Sequence, residues 1–154
     1  MSPQPFESVD RRATEALQSL FIGPIAVNHL PSFPRPDRSF ISIFQVVFTV
    51  GPGTDQETRA QVHAHFERAL PALAQFPEAC QSELALRARR FYPEKERPEY
   101  PRMYIECAWH GSALAAMQVA GFGAWHQHCY SYVNRLDPRD PYNIDTRTAS
   151  RGGT

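Results

Sequence analysis

Lysine is almost missing from this sequence. Lys95 is the only one, and arginine carries the remaining positive charge, which reads as a compositional bias before it reads as function. No charge of either sign dominates: 16 basic side chains face 16 acidic ones. Without a broad basic field, nucleic acid is not an expected partner. No run approaches the roughly 18 apolar residues of a membrane span, so none is expected. The first residues are polar and proline-bearing and lack the apolar centre of a signal peptide. Cysteine is sparse as well. Cys80, Cys107 and Cys129 lack metal-site spacing, and their odd number predicts free buried thiols in a reducing compartment, hence a cytoplasmic location. There is no internal repeat and no low-complexity run. What remains is ordinary for a globular chain, 42% hydrophobic and 21% charged, and 154 residues suffice for one domain with an extension.

The richest stretch runs from Arg102 to Val133. It holds both tryptophans, two of the cysteines and several histidines. Met103 to Trp109 alternates as a strand, with Met103, Ile105, Cys107 and Trp109 on one face and Tyr104, Glu106 and Ala108 on the other. Ala113 to Met117 are helix formers, and Gly121 and Gly123 interrupt or bend that helix. Phe122, Trp125, His126, Cys129, Val133 and Leu136 then recur at spacings of three or four, which predicts a second helical run with one mostly apolar face. His126 lies within that face, a titratable ring on an apolar stripe.

Phe6 to Phe21 is expected to be a helix, with Val9, Ala13, Ala16, Leu17 and Leu20 as its apolar stripe and Ser8 or Asp10 as its cap. Ile25 to Leu30 is a short apolar piece. The prolines at 31, 34 and 36 predict an extended linker. Residues 1–38 thus read as an arm that covers a sheet edge, a pocket mouth or a partner. Phe40 to Val50 is the strongest strand and is apolar on both faces, which predicts cover on both. Gly51 to Asp55 is a turn into a helix from about Gln56 to Gln75, capped by Thr54 or Asp55 with Glu57 behind. Val62, Phe66, Ala69, Leu70 and Leu73 line its buried side, and His63 and His65 are expected at the surface. Ala79 to Phe91 is a strand with a helix as the alternative, and residues 93–101 suit a hairpin connection. Tyr142 to Thr148 is expected to form a short last strand, and 151–154 a disordered tail.

The order is arm, then β-α-β-β-α-β. It predicts an α+β, ferredoxin-like split βαβ domain over residues 39–150, with four antiparallel strands and two helices on one face. The other face, apolar in β-strand positions, predicts a homodimer.

Four features carry a resemblance: FTVGPG at Phe48–Gly53, QFPEACQSELAL at Gln75–Leu86, YIECAW at Tyr104–Trp109, and the spacing of Phe122 and His126. In this order they resemble the dimeric α/β-barrel superfamily, and within it the antibiotic-biosynthesis-monooxygenase-like domains, over Phe40 to Thr148. The resemblance implies two ferredoxin-like units joined into a barrel. It also implies a small tailoring enzyme acting on an aromatic or polyketide-like molecule, by oxygenation without metal or flavin, or by cyclisation or decarboxylation. A non-catalytic heme- or small-ligand-binding dimer is the alternative. In the heme-degrading branch the histidine of the second helix binds iron, and His126 occupies the matching place. The asparagine and tryptophan that accompany it there are replaced here by Gln45 and Ala116, so no cofactor is expected.

A barrel of this type implies a pocket between sheet and helices, walled by Phe44, Gln45, Phe48, Phe66, Tyr104, Trp109, Phe122 and Trp125. Cofactor-free oxygenation needs a base and a dry site. His126 is the first choice of base and His128 the second, with Glu106 orienting an imidazole or serving as base itself. The competing readings are a core histidine bonded to a carbonyl at His126, packing roles for the tryptophans, a cross-strand ion pair of Glu106 with Arg87 or Arg89, and a simple turn at His110 and Gly111. His126, His128 and Cys129 have no second ligand set at matching spacing, so metal is not expected.

Overall fold

The computed structural model describes residues 9–21, 23–51, 53–90, 103–135 and 137–144. Helix α1 (Val9–Gln18) leads into strand β1 (Ile25–Pro34), which turns back into β2 (Phe40–Val50). Helix α2 (Asp55–Leu73) and the single turn α3 (Pro77–Cys80) carry the chain to β3 (Glu83–Arg90) and its antiparallel neighbour β4 (Met103–His110). Helix α4 (Ala113–Ala120), a 3-10 turn (Phe122–Ala124) and the short α5 (Trp125–His128) precede β5 (Ser131–Asn134). Five strands in sequential order form one sheet, and the protein is α+β.

The sheet departs from four antiparallel strands in two respects. Beyond the expected strands it gains β1, and β2 and β3 run parallel, side by side. A parallel pair needs a crossover, and α2 supplies it. The stretch expected as a linker is the second half of β1: Phe33 and Pro34 pair with Ile41 and Phe40, past an irregularity after Leu30. Proline cannot donate to a ladder, yet β1 lies at the sheet edge, where the missing donors can face away from β2. The tight turn to β2 is closed by Arg35, whose amide donates to the Ser39 carbonyl, and by Asp37, which accepts from the Ser39 amide and hydroxyl.

The α2 start follows the local pattern. Thr54 and Glu57 form a capping box, each side chain accepting from the other's backbone N–H. Val62, Phe66, Ala69, Leu70 and Leu73 are buried as the periodicity requires. They meet Phe44, Val46, Phe48, Leu84, Leu86 and Trp109 from the sheet in one core, joined by Ala13 and Leu17 of α1 and by Leu114 and Met117 of α4. The helices therefore share one face of the sheet. Among the described residues, no helix is long and apolar enough to cross a membrane.

Two stretches behave differently from their periodicity. The second helical run ends at His128. Cys129 is already extended, and β5 pairs with β4 from Ile105–Asn134 to Ala108–Ser131. Ladder bonds to β4 outweigh the three-to-four spacing there. Tyr142 to Ile144 forms no strand beyond one bridge, in which Ile144 and Tyr132 exchange both backbone bonds at 2.6 Å. The tail expected at 151–154, the cap expected at Ser8 and the connection at 93–101 lie outside the described residues.

Candidate functional site

The aromatic side chains expected to wall a pocket pack against each other instead. Phe44, Phe48, Phe66, Tyr104, Trp109 and Trp125 are buried core, and Phe122 is half-buried against them. Phe66 meets Trp109 and Trp125 edge-on at 5.7 and 5.1 Å, and Trp109 Nε1–H donates to the Trp125 carbonyl at 2.9 Å. Tyr104 was expected beside Glu106. The pairing of β3 with β4 jumps from Ala88–Ile105 to Arg89–Met103, which leaves Tyr104 as the extra residue of a bulge. Its ring is buried and its hydroxyl donates to the Asp55 carbonyl at 2.6 Å, at the start of α2.

The space lies on the opposite face. A concavity of about 440 Å³ opens on the side of the sheet away from the helices. Its apolar floor includes Ile41 and Ile43 of β2, Ala85 of β3, and Val133 of β5. Across it runs a linked polar row. Arg87 Nε and Nη2 lie 2.9 Å from Glu106 Oε1, and Arg87 Nη1 donates to Gln45 Oε1 at 3.2 Å. Arg135 Nε donates to the other oxygen, Glu106 Oε2, at 2.6 Å. Gln45 and Glu106, two of the expected site residues, are thus brought together, and Arg87 joins them. Glu106 has both oxygens engaged by guanidinium donors, so it is an ion-pair partner of Arg87 and Arg135. Because the Gln45 carbonyl faces Arg87, its NH2 is left to donate. Two guanidinium groups and one carboxylate make up the row, and a second carboxylate, Glu83, also lines the concavity, paired with Arg35 at 3.9 Å.

His126 lies on the helix side, away from this concavity. Its Nε2 is 2.7 Å from the Tyr142 carbonyl. A carbonyl only accepts, so Nε2 carries the proton and Nδ1 holds the lone pair of the neutral ring. His126 is thus bonded to a carbonyl while half-buried rather than in the core. His128 is half-buried and has no hydrogen-bond partner among the described residues. His126 belongs to a cluster of rings with Trp125, Tyr132, Tyr142 and His63.

His63, expected at the surface, is built into that cluster. Its Nε2 is 2.7 Å from the Tyr132 hydroxyl, which itself donates to Asp140 Oδ2 at 2.9 Å. With the Tyr132 proton committed to Asp140, Nε2 of His63 must be the donor. Burial, opposed by the Asp140 charge and aided by Arg59 and His126, pushes His63 down to about 4. Burial also pushes the Tyr132 hydroxyl far up, reinforced by Asp140. Asp140 is penalised by burial, yet donors from Asn134, the Tyr142 amide and Tyr132, with Arg59 nearby, hold it below the usual carboxylate range. His65 is 1% exposed between Phe21 and Phe48, and burial plus Arg68 pushes it down to about 4. His65 is buried between Phe21 and Phe48 on the α1 side of α2, and His63 is half-buried against Trp125, Tyr132 and Tyr142 on the other. A helix flanked twice buries a wider arc than its apolar stripe.

At the other end of the open face, His110 departs from a bare turn. Its Nδ1 is 2.8 Å from Glu83 Oε2, and its ring stacks on Tyr130 at 4.7 Å. Neither contact was legible in the sequence, since Glu83 and His110 meet only through the register of β3 and β4. The cysteines are all free. Burial raises the Cys107 thiol well above its ordinary value, while a hydrogen bond from Cys107 lowers Cys129. Among the described residues, no three His, Cys, Asp or Glu side chains are grouped so as to hold a metal ion. Compared with protein-family models, with curated proteins and with solved structures, the chain matches none.

Proposed function

We propose that this protein binds a small, flat, aromatic or polyketide-like molecule bearing an acidic group on the open face of its sheet. One observation carries the reading: the guanidinium groups of Arg87 and Arg135, linked with Gln45 and Glu106 in one row, cross an apolar floor in a concavity of about 440 Å³, where the further carboxylate, Glu83, is itself paired with Arg35. An apolar surface with a few convergent polar groups suits a ring system whose anionic edge meets guanidinium. The β-α-β-β-α-β order of β2 to β5 supports a ferredoxin-like kinship, its departure being the adjacency of β2 and β3. In this reading a second copy covers the open face, as in a dimeric α/β barrel, and turns the concavity into an enclosed site. Ile41 and Ile43, half-buried on that face, favour such cover.

The chemistry we assign is tailoring of the bound ring system by proton removal, leading to cofactor-independent oxygenation, cyclisation or decarboxylation. A non-catalytic binding protein is the second reading, favoured by the engagement of both Glu106 oxygens by arginine. Titration with 1-naphthoate and with neutral naphthalenemethanol, followed by calorimetry, tests the binding reading. The acid is expected to bind and the alcohol to bind at least tenfold more weakly. Arg87→Met is expected to remove the difference. Equal affinity for acid and alcohol in the unaltered protein would refute the anionic anchor. Sedimentation equilibrium at micromolar concentration checks the dimer, and a species of only 17.5 kDa would refute it.

A further inference from the structure

The open face holds a second depression of about 510 Å³ beside the first, and the two meet at Ile41 and Glu83. His110 stands at this junction, lining the second depression while its stacking partner Tyr130 lines the first. The geometry points to His110 as the general base that serves the ligand groove, with Glu83 as its positioning residue. This rests on the reading of the open face as a ligand site.

Three contacts hold the imidazole. Glu83 Oε2 accepts from Nδ1 at 2.8 Å, and a carboxylate that accepts there assigns the proton to Nδ1 and the lone pair of the neutral ring to Nε2. Tyr130 stacks on the ring with an interplanar angle of 29°. The backbone behind it is clamped at Gly111. The Gly111 amide donates to the Ser82 carbonyl at 2.8 Å, and a Cβ there would lie 2.3 to 2.6 Å from the carbonyl oxygens of Ala79, Ser82 and Cys80. Only glycine lets the end of β4 approach the α3–β3 turn this closely. Glu83 itself is steadied by Arg35, whose Nη2 is 3.9 Å from its other oxygen. Among the described residues Nε2 has no partner.

An imidazole oriented by a carboxylate, with one nitrogen unengaged among the described residues, is the arrangement that general-base catalysis requires. The step it performs is simple in balance. Nε2 takes a proton from a C–H or O–H acid of the ligand, the bonding pair stays on the ligand as an enolate or phenolate, and the imidazolium pairs with Glu83. No oxidant enters that step. His126, held on the helix side of the sheet, has no such access to the groove.

The probe for the base is 5-nitrobenzisoxazole, a flat heteroaromatic opened by proton removal alone. Its ring C–H proton goes to the base, the electron pair becomes part of a nitrile, and the N–O bond breaks to release a yellow phenolate. The full chain is expected to open it with saturation kinetics. His110→Ala and His110→Gln are each expected to lower kcat about 100-fold, in line with general-base contributions. Glu83→Gln should lower kcat about tenfold with KM unchanged, a split that a merely structural role would not produce. His110 is exposed, so neither of its variants should impair folding. Failure of the unaltered chain to open the probe, or full kcat in His110→Ala, would overturn the assignment. Naphthoate affinity, measured in parallel, separates the two readings. Intact binding with no effect of His110 removes the base alone, and His110-dependent turnover without naphthoate binding removes the anionic anchor alone.

Discussion

Trp109 Nε1–H donates to the backbone carbonyl of Trp125 at 2.9 Å, and the bond is buried. It ties the end of β4 to the first residue of α5 across the core. Trp109→Phe removes the donor and leaves a buried carbonyl unpaired, which costs about 1–3 kcal/mol, in addition to the loss of ring volume. The urea midpoint is expected to fall accordingly. An unchanged midpoint would show that the Trp125 carbonyl finds another donor.

Gly111→Ala is expected to be among the most damaging single-methyl additions in the chain. Its Cβ would meet three carbonyl oxygens at 2.3 to 2.6 Å, all of them backbone. Backbone cannot swing aside as a flexible side chain does, so β4 or the α3–β3 turn must shift, at about 1–3 kcal/mol or more. Thermal unfolding of Gly111→Ala beside Gly51→Ala, whose Cβ would have open space, isolates the effect.

Stability is expected to decline as the pH falls from 6.5 to about 4. His63 and His65 have folded pKa values pushed down to about 4 from an ordinary 6.5. Above 6.5 both states leave the rings neutral. As the pH falls, the unfolded chain takes up protons that the native rings refuse, until they too protonate near 4. Each ring contributes a slope of at most about 1.4 kcal/mol per pH unit, less where water screens it. Asp140, held below its ordinary 3.8, and Glu57, below 4.5, contribute stability that is lost only at lower pH, so this window belongs to the histidines. His65→Gln should flatten the slope of denaturation midpoint against pH. An equal slope in that variant would contradict the assignment.

Cys129 is expected to be the fastest thiol. The hydrogen bond from Cys107 lowers it, whereas burial raises Cys107 and Cys80. A thiolate is the nucleophile, and access matters as well. Reaction of the native chain with dithionitrobenzoate should show one rapid phase, absent in Cys129→Ser. Survival of that phase in the variant would assign it to another cysteine.

Much of the site was legible only in part. Gln45 and Glu106 fall on the open face by simple alternation, and the Arg87–Glu106 pair follows once β3 and β4 are neighbours. The aromatic residues carried a stronger signal and a misleading one. A large ring on an apolar stripe looks the same in sequence whether it walls a cavity or fills it, and here Phe44, Phe48, Phe66 and Trp109 fill it. His63 was hidden because its burial comes from Trp125, Tyr132 and Tyr142, all more than sixty residues away in the chain.

By itself the sequence determined what short-range physics controls: the Thr54–Glu57 capping box, the buried stripe of α2, the alternation of β2 and β4, and the end of α4 at Gly121, whose φ of 100° favours glycine. These depend on neighbours within a few residues. Tertiary structure alone decided the rest. Backbone groups left unpaired by one strand must find another, and that demand placed β1 at the edge despite its prolines, set β2 beside β3 in parallel, and turned Tyr104 inward at a bulge. The same strand register brought His110 onto Glu83. Which face of the sheet stayed open was settled by where all the helices packed, and no single segment of the sequence carries that information.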